Sequence, residues 1–167
     1  HIFTRSGTTW TPQKILPSDS VLSGEYRQFG NSVAISGDYA VIGSWLKHRG
    51  SGGDDEGAAY IFKKSASGNW EQQQKLLASD PHNDDRFGNS VAIEEDYVVI
   101  GAYQDDHSST QGPGAAYIFK RTAGTENWEE KLKLKSSDPE YADKFGISVN
   151  IKGDYVIVGS NGWNTNR

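Results

Sequence analysis

The residues with the most obvious capacity for chemistry are carboxylates. Asp54-Asp55 and Asp105-Asp106 are adjacent acidic pairs, each set among Gly and Ser. Calcium takes six to eight oxygen ligands, so two local carboxylates would need backbone carbonyls to complete a shell. A solvated loop is the competing reading of both pairs. They also fall at opposite ends of their segments, 45–57 and 103–114, which argues against one repeated site. The four histidines, at positions 1, 48, 82 and 107, form no His-x-x-x-His pair, so neither zinc coordination nor general-base chemistry has a spacing to rest on. Cysteine is absent, which excludes disulfides, thiolate zinc sites and thiol catalysis. The net charge of −5 leaves no basic footprint for nucleic acid or an anionic membrane. No apolar run approaches the roughly 18–20 residues of a membrane-spanning helix.

The elements that must carry these residues are repeated. Phe-Gly recurs at 29–30, 87–88 and 145–146, and Asp-Tyr at 38–39, 96–97 and 154–155, each at a spacing of 58. A Gly closes the next apolar run at 43, 101 and 159. Ile-Phe (2–3, 61–62, 118–119), then a Trp (10, 70, 128), then Ser-Asp (18–19, 79–80, 137–138) follow in the same order. Such fixed-period self-similarity is the signature of a repeat architecture.

Each unit reads as four short strands. Strand one is 90–93 and its equivalents at 32–35 and 148–151. Strand two, Tyr97-Val98-Val99-Ile100, is continuously apolar, the pattern of a strand buried on both faces. The two or three residues between them (36–38, 94–96, 152–154) demand a tight hairpin. Strand three is 115–119, with its copy at 58–62. Strand four starts at the Trp and alternates with polar residues, as in 70–76, which suits an outer edge strand. Four antiparallel strands at this period describe a propeller blade. The fold class is therefore all-β, with three four-stranded blade equivalents. The units run 1–28 (strands three and four alone), 29–86, 87–144 and 145–167 (strands one and two alone).

The order Phe-Gly, Ser-Val-Ala (90–92), Val-Ile-Gly-Ala (99–102) and Gly-Ala-Ala-Tyr-Ile-Phe (114–119) resembles the FG-GAP repeat of integrin-α-type β-propellers. The resemblance covers essentially the whole chain. It implies a β-propeller on an extracellular or cell-surface protein that binds protein or matrix ligands without catalysing a reaction. It also implies a calcium loop between strands one and two in many members. Here that loop has shrunk to Ser36-Gly37-Asp38 and its equivalents, and one Asp cannot fill a calcium shell. The family calcium site is therefore missing, no cofactor is assigned, and Asp54, Asp55, Asp105 and Asp106 are the weaker calcium candidates that remain. Asp38, Asp96 and Asp154 read as turn residues. Asp85-Arg86 and Asp143-Lys144 read as local ion pairs that fix turns between blades.

Trp10, Trp70 and Trp128 recur at one blade position, so packing between blades is expected of them. Trp45 and Trp163 break the pattern. They follow strand two on the loop side, and with His107 on a strand-two-to-three loop they are the candidate contact residues.

Three blade equivalents cannot close a ring by themselves, because propellers close with four or more. The start at His1, where other copies have Tyr60 and Tyr117, and the absence of Met fit a piece of a longer propeller. Alternatively, the terminal half-blades complement one another, and copies join head to tail by strand addition into a ring or a filament. Three functions follow: a binding or adhesion module, a structural subunit of an extracellular fibre or surface layer, or an accessory domain of a secreted hydrolase.

Overall fold

The structure, a computed structural model, describes residues 1–20, 28–46, 56–105 and 112–162. Twelve strands lie among them: β1 (Ile2–Ser6), β2 (Thr9–Gln13), β3 (Val33–Ser36), β4 (Tyr39–Ser44), β5 (Ala58–Lys64), β6 (Trp70–Leu76), β7 (Ser90–Glu94), β8 (Tyr97–Ala102), β9 (Ala115–Arg121), β10 (Trp128–Leu134), β11 (Ser148–Lys152) and β12 (Tyr155–Gly159). A 3-10 turn spans Ser18–Ser20. No helix among the described residues is long and apolar enough to cross a membrane.

β3-β4-β5-β6 and β7-β8-β9-β10 are four-stranded antiparallel sheets in chain order, each a propeller blade. β1-β2 and β11-β12 are two-stranded sheets that correspond to the outer and inner halves of a blade. The fold expected from the repeat is the fold observed.

Local chemistry explains the strands. Each inner hairpin turns on two residues, and the first has a positive φ: Gly37 (56°), Glu95 (51°) and Gly153 (55°). Glycine adopts that conformation without steric cost, so two of the three hairpins carry the residue the turn asks for. The outer strands β6 and β10 are kept irregular by a bulge. Pairing skips Gln73 in one and Lys131 in the other, which twists an exposed edge away from further pairing.

The Phe-Gly signature belongs to the seam between blades rather than to a strand. Phe87 forms a parallel bridge with Gly57 of the preceding blade, and Phe145 does so with Gly114. A Cβ on Gly43 would lie 2.0 Å from the Gly88 carbonyl oxygen, and one on Gly101 would lie 2.0 Å from that of Gly146. Only glycine lets the backbones of neighbouring blades approach this closely. Phe87 then packs edge-on against Tyr117 and Phe119 of its own blade, as Phe29 does against Tyr60 and Phe62.

The main core fills the space between the two full blades. It joins Val41, Ile61 and Leu76 to Phe87, Val98, Ile100, Tyr117 and Trp128. A second cluster of Ile15, Ile42, Tyr60, Phe62 and Trp70 seats the N-terminal half-blade on the first full one. Strand two is buried in β4 and, beyond the exposed Tyr97, in β8, as its continuous apolar run predicts, whereas the equivalent β12 is exposed or half-buried throughout. Burial on both faces requires a neighbouring blade on each side, and β12 has one on a single side.

Candidate functional site

The polar groups with defined geometry gather at the seams. The Asp of the first two Ser-Asp pairs leaves strand four of one blade and meets the next. Asp19 accepts hydrogen bonds from the Tyr60 hydroxyl at 3.1 Å and from Lys75 Nζ at 2.8 Å. Asp80 repeats this with Tyr117 at 2.8 Å and Lys133 at 2.8 Å. Each ammonium also lies over its tyrosine ring, Lys75 at 5.8 Å and Lys133 at 5.1 Å from the centroid. Burial, then the neighbouring carboxylates, push both phenols far above the ordinary tyrosine value, so each stays a hydrogen-bond donor. Burial alone would lower the Lys133 pKa. Its bonds to Asp105 and Asp80 outweigh that and hold it raised. Both phenols therefore stay protonated and Lys133 stays charged near neutral pH.

Asp105, a calcium candidate by sequence, belongs to this cluster. It is buried, accepts a hydrogen bond from the Tyr117 hydroxyl, and pairs with Lys133 Nζ at 2.8 Å. The solvated-loop reading fails at this residue. Its carboxylate is engaged within the fold by Tyr117 and by the Lys133 ammonium. Asp54, Asp55, Asp106, His107 and Trp163 lie outside the described residues. Among the described residues, no three His, Cys, Asp or Glu side chains are placed to hold a metal ion.

A second seam device uses glutamine. Gln13 brackets the backbone of Trp70, accepting from its N–H at 3.0 Å and donating to its carbonyl at 3.1 Å. Gln74 does the same to Trp128, both at 2.8 Å. Trp128 then stacks edge-on against Tyr39 of the preceding blade, with centroids 5.7 Å apart. Trp70 and Trp128 are thereby packed between blades, as their recurrence predicts, whereas Trp10, expected to do the same, is 59% exposed. The glutamines escape a sequence reading because they stand three and four residues after their own Trp. The bulge at Gln73 absorbs the difference.

Turns between blades are fixed by carboxylates too. The Asp85 carboxylate accepts the His82 N–H at 2.6 Å, and that of Asp143 accepts the Glu140 N–H at 2.7 Å. Arg86 pairs with Asp84 at 2.9 Å and donates to Gln104 at 3.0 Å. The same guanidinium lies 4.6 Å from the ring centroid of Trp45, on the far side of the seam. Trp45 is half-buried. In this stack a sequence-selected contact residue meets a second interaction-prone group.

A cleft of about 530 Å³ lies between the N-terminal half-blade and the first full blade. Ile2, Phe3, Ile15, Val33, Ile35 and Val41 are among its lining residues. Its lining is mostly apolar, with His1 and Lys14 at its edge.

A family model described as the FG-GAP repeat matches residues 10–62, 70–119 and 128–167. The first two matched segments run from a strand-four Trp to the strand-three Phe of the next blade, so each straddles a seam. No curated protein matches the chain.

Proposed function

The chain belongs to the FG-GAP repeat family, and on that premise we propose that it is a non-enzymatic binding or adhesion module working outside the cell or at its surface. It takes a protein or matrix ligand at the loop end of its propeller-type blades. The observation that carries this reading is the Trp45–Arg86 stack. Trp and Arg dominate the energetics of protein interfaces, and this pair bridges two blades beside the strand-two loops. Loops on a rigid β scaffold are the usual carriers of recognition. Surface plasmon resonance against immobilised extracellular-matrix proteins tests it. Trp45→Ala should weaken a detected interaction about tenfold or more. Binding unchanged by that substitution, or no binding to any of them, overturns the proposal.

A second reading is favoured by the two half-blades: copies of the chain assemble head to tail as a structural subunit. Among the described residues β1 pairs only with β2, and β12 only with β11. The two pairs are the outer and inner halves of one blade. If the rotation closes, two copies give a six-bladed ring; if not, a filament. Native mass measurement separates these outcomes from a lone monomer.

A further inference from the structure

We infer that the seam between the second full blade and the β11-β12 pair carries a carboxylate subsite, and that its occupant is an acidic side chain of a protein ligand. This rests on the binding reading above and names the chemistry such a ligand brings. Two seams of the same construction treat one cation differently. At the first seam Arg86 is fully engaged. Its Nε donates to Gln104 at 3.0 Å, its Nη2 donates to Asp84 at 2.9 Å, and its guanidinium lies 4.6 Å from the Trp45 ring centroid. At the second seam, 58 residues on, Lys144 stands for Arg86 and Tyr103 for Trp45. The cation and the aromatic are retained, but their two polar partners are not. Ala142 takes the place of Asp84, and Gly162 takes the place of Gln104.

The backbone of the second seam still copies the first. Arg86 and Lys144 share a positive φ, 63° and 57°, as do Asp84 and Ala142, 65° and 60°. The Gln104 N–H donates to the Asp85 carbonyl at 3.3 Å, and the Gly162 N–H donates to that of Asp143 at 2.8 Å. A Cβ at position 162 would lie 2.3 Å from the Ala142 carbonyl oxygen, so only glycine fits and no amide side chain can return there. The same turn has thus lost its counter-ion and its acceptor. Among the described residues, no hydrogen bond or ion pair engages the Lys144 ammonium or the Tyr103 hydroxyl.

Both side chains line a cavity of about 290 Å³, together with Gln104, Gly112 and Ala142. Tyr103 is half-buried and Lys144 exposed. The volume falls just under the roughly 300–1,000 Å³ of drug-sized ligand pockets, which suits one inserted side chain. An ammonium and a phenol are both donors, so the group they receive is an acceptor, and the unbalanced positive charge selects an anion. A carboxylate accepts from both in charge-assisted hydrogen bonds. The Trp45–Arg86 stack lies one seam away on the equivalent turns, so an extended protein ligand meets both.

Backbone-amide NMR of the full chain tests the subsite. Titration with the peptide Ac-Gly-Glu-Gly-amide should shift the amides of Tyr103, Ala142 and Lys144, and the Gln counterpart of the peptide should not. Lys144→Gln should raise the dissociation constant about tenfold. Ala142→Asp rebuilds the counter-ion of the first seam and should weaken binding similarly with the lysine intact, since Asp tolerates a positive φ. Dispersion of the remaining amide signals checks that each variant folds. Peptide binding unchanged by both substitutions overturns the subsite and leaves the binding reading of Trp45 standing. Glucuronate shifting these amides where the peptide does not overturns the assignment to a protein carboxylate. If no matrix protein binds but the peptide shifts appear and depend on Lys144, the binding reading falls and the carboxylate subsite stands.

Discussion

Strands β8 and β12 carry nearly the same residues, Tyr-Val-Val-Ile-Gly and Tyr-Val-Ile-Val-Gly, and pair in the equivalent register with β7 and β11. In β8, Val98, Val99 and Ile100 are fully buried. In β12, Tyr155 is 78% and Ile157 70% exposed. The local fold is identical; only the neighbours differ. β8 lies between two blades and has β9 on its outer edge, whereas β12 has a blade on one face. Burial in a propeller is a property of the seam, and the repeat spends its most restricted residues there.

The sharpest way to break this comparison is at the glycines. Gly88 and Gly30 share a positive φ, 87° and 90°, but a Cβ on Gly88 would lie 2.2 Å from the Ala58 carbonyl oxygen. Gly88→Ala should cost about 4 kcal/mol, and Gly30→Ala only the backbone strain of about 1 kcal/mol. Urea unfolding of the two variants checks the difference, and equal losses would remove the seam from the explanation.

A smaller gap separates the strands themselves. Ile100→Ala should destabilise by about 3 kcal/mol through the cavity it leaves. Ile157→Ala in the monomer should change stability by no more than about 0.5 kcal/mol, read from the same denaturation curves. Next, Tyr117→Phe removes a buried donor from Asp80 and Asp105 and should cost about 1–2 kcal/mol. Tyr155→Phe on the exposed strand should be neutral in a thermal melt.

The finest distinction is in pH dependence. Burial tends to raise the Asp80 carboxyl, but hydrogen bonds from Lys133 and Tyr117 more than reverse this and hold it below its ordinary value of 3.8. A depressed carboxylate stabilises the fold above the unfolded pKa, and that contribution is lost as pH falls through the lower folded value. Asp80→Asn should therefore flatten the acid limb of the stability curve below about pH 4. The effect should stay under about 1 kcal/mol, since the carboxylate is a third exposed and screened by solvent. An acid limb as steep as wild type would assign that limb to other carboxylates.

Much of the architecture was legible because its causes are local. Alternating outer strands, apolar inner strands, two-residue hairpins and the recurring Phe-Gly each act within a few residues of themselves. The candidate site was less legible. Asp105 looked like a loop carboxylate because Lys133 is distant in sequence, and the Gln13 and Gln74 brackets were hidden by a bulge that breaks fixed spacing. The Ser-Asp repeat was visible as a pattern, but its partners, a tyrosine and a lysine of the following blade, were not.

The sequence by itself determined the repeat, its strands, their order and the half-blade at each end, since periodicity and turn chemistry need no distant partner. Tertiary structure decided what each carboxylate and glycine is for. Blade-to-blade packing brings Asp80 to Lys133, puts the Gly88 carbonyl beside Gly43, and separates the buried β8 from the exposed β12, and such contacts depend on how whole sheets stack rather than on any one sheet's residues.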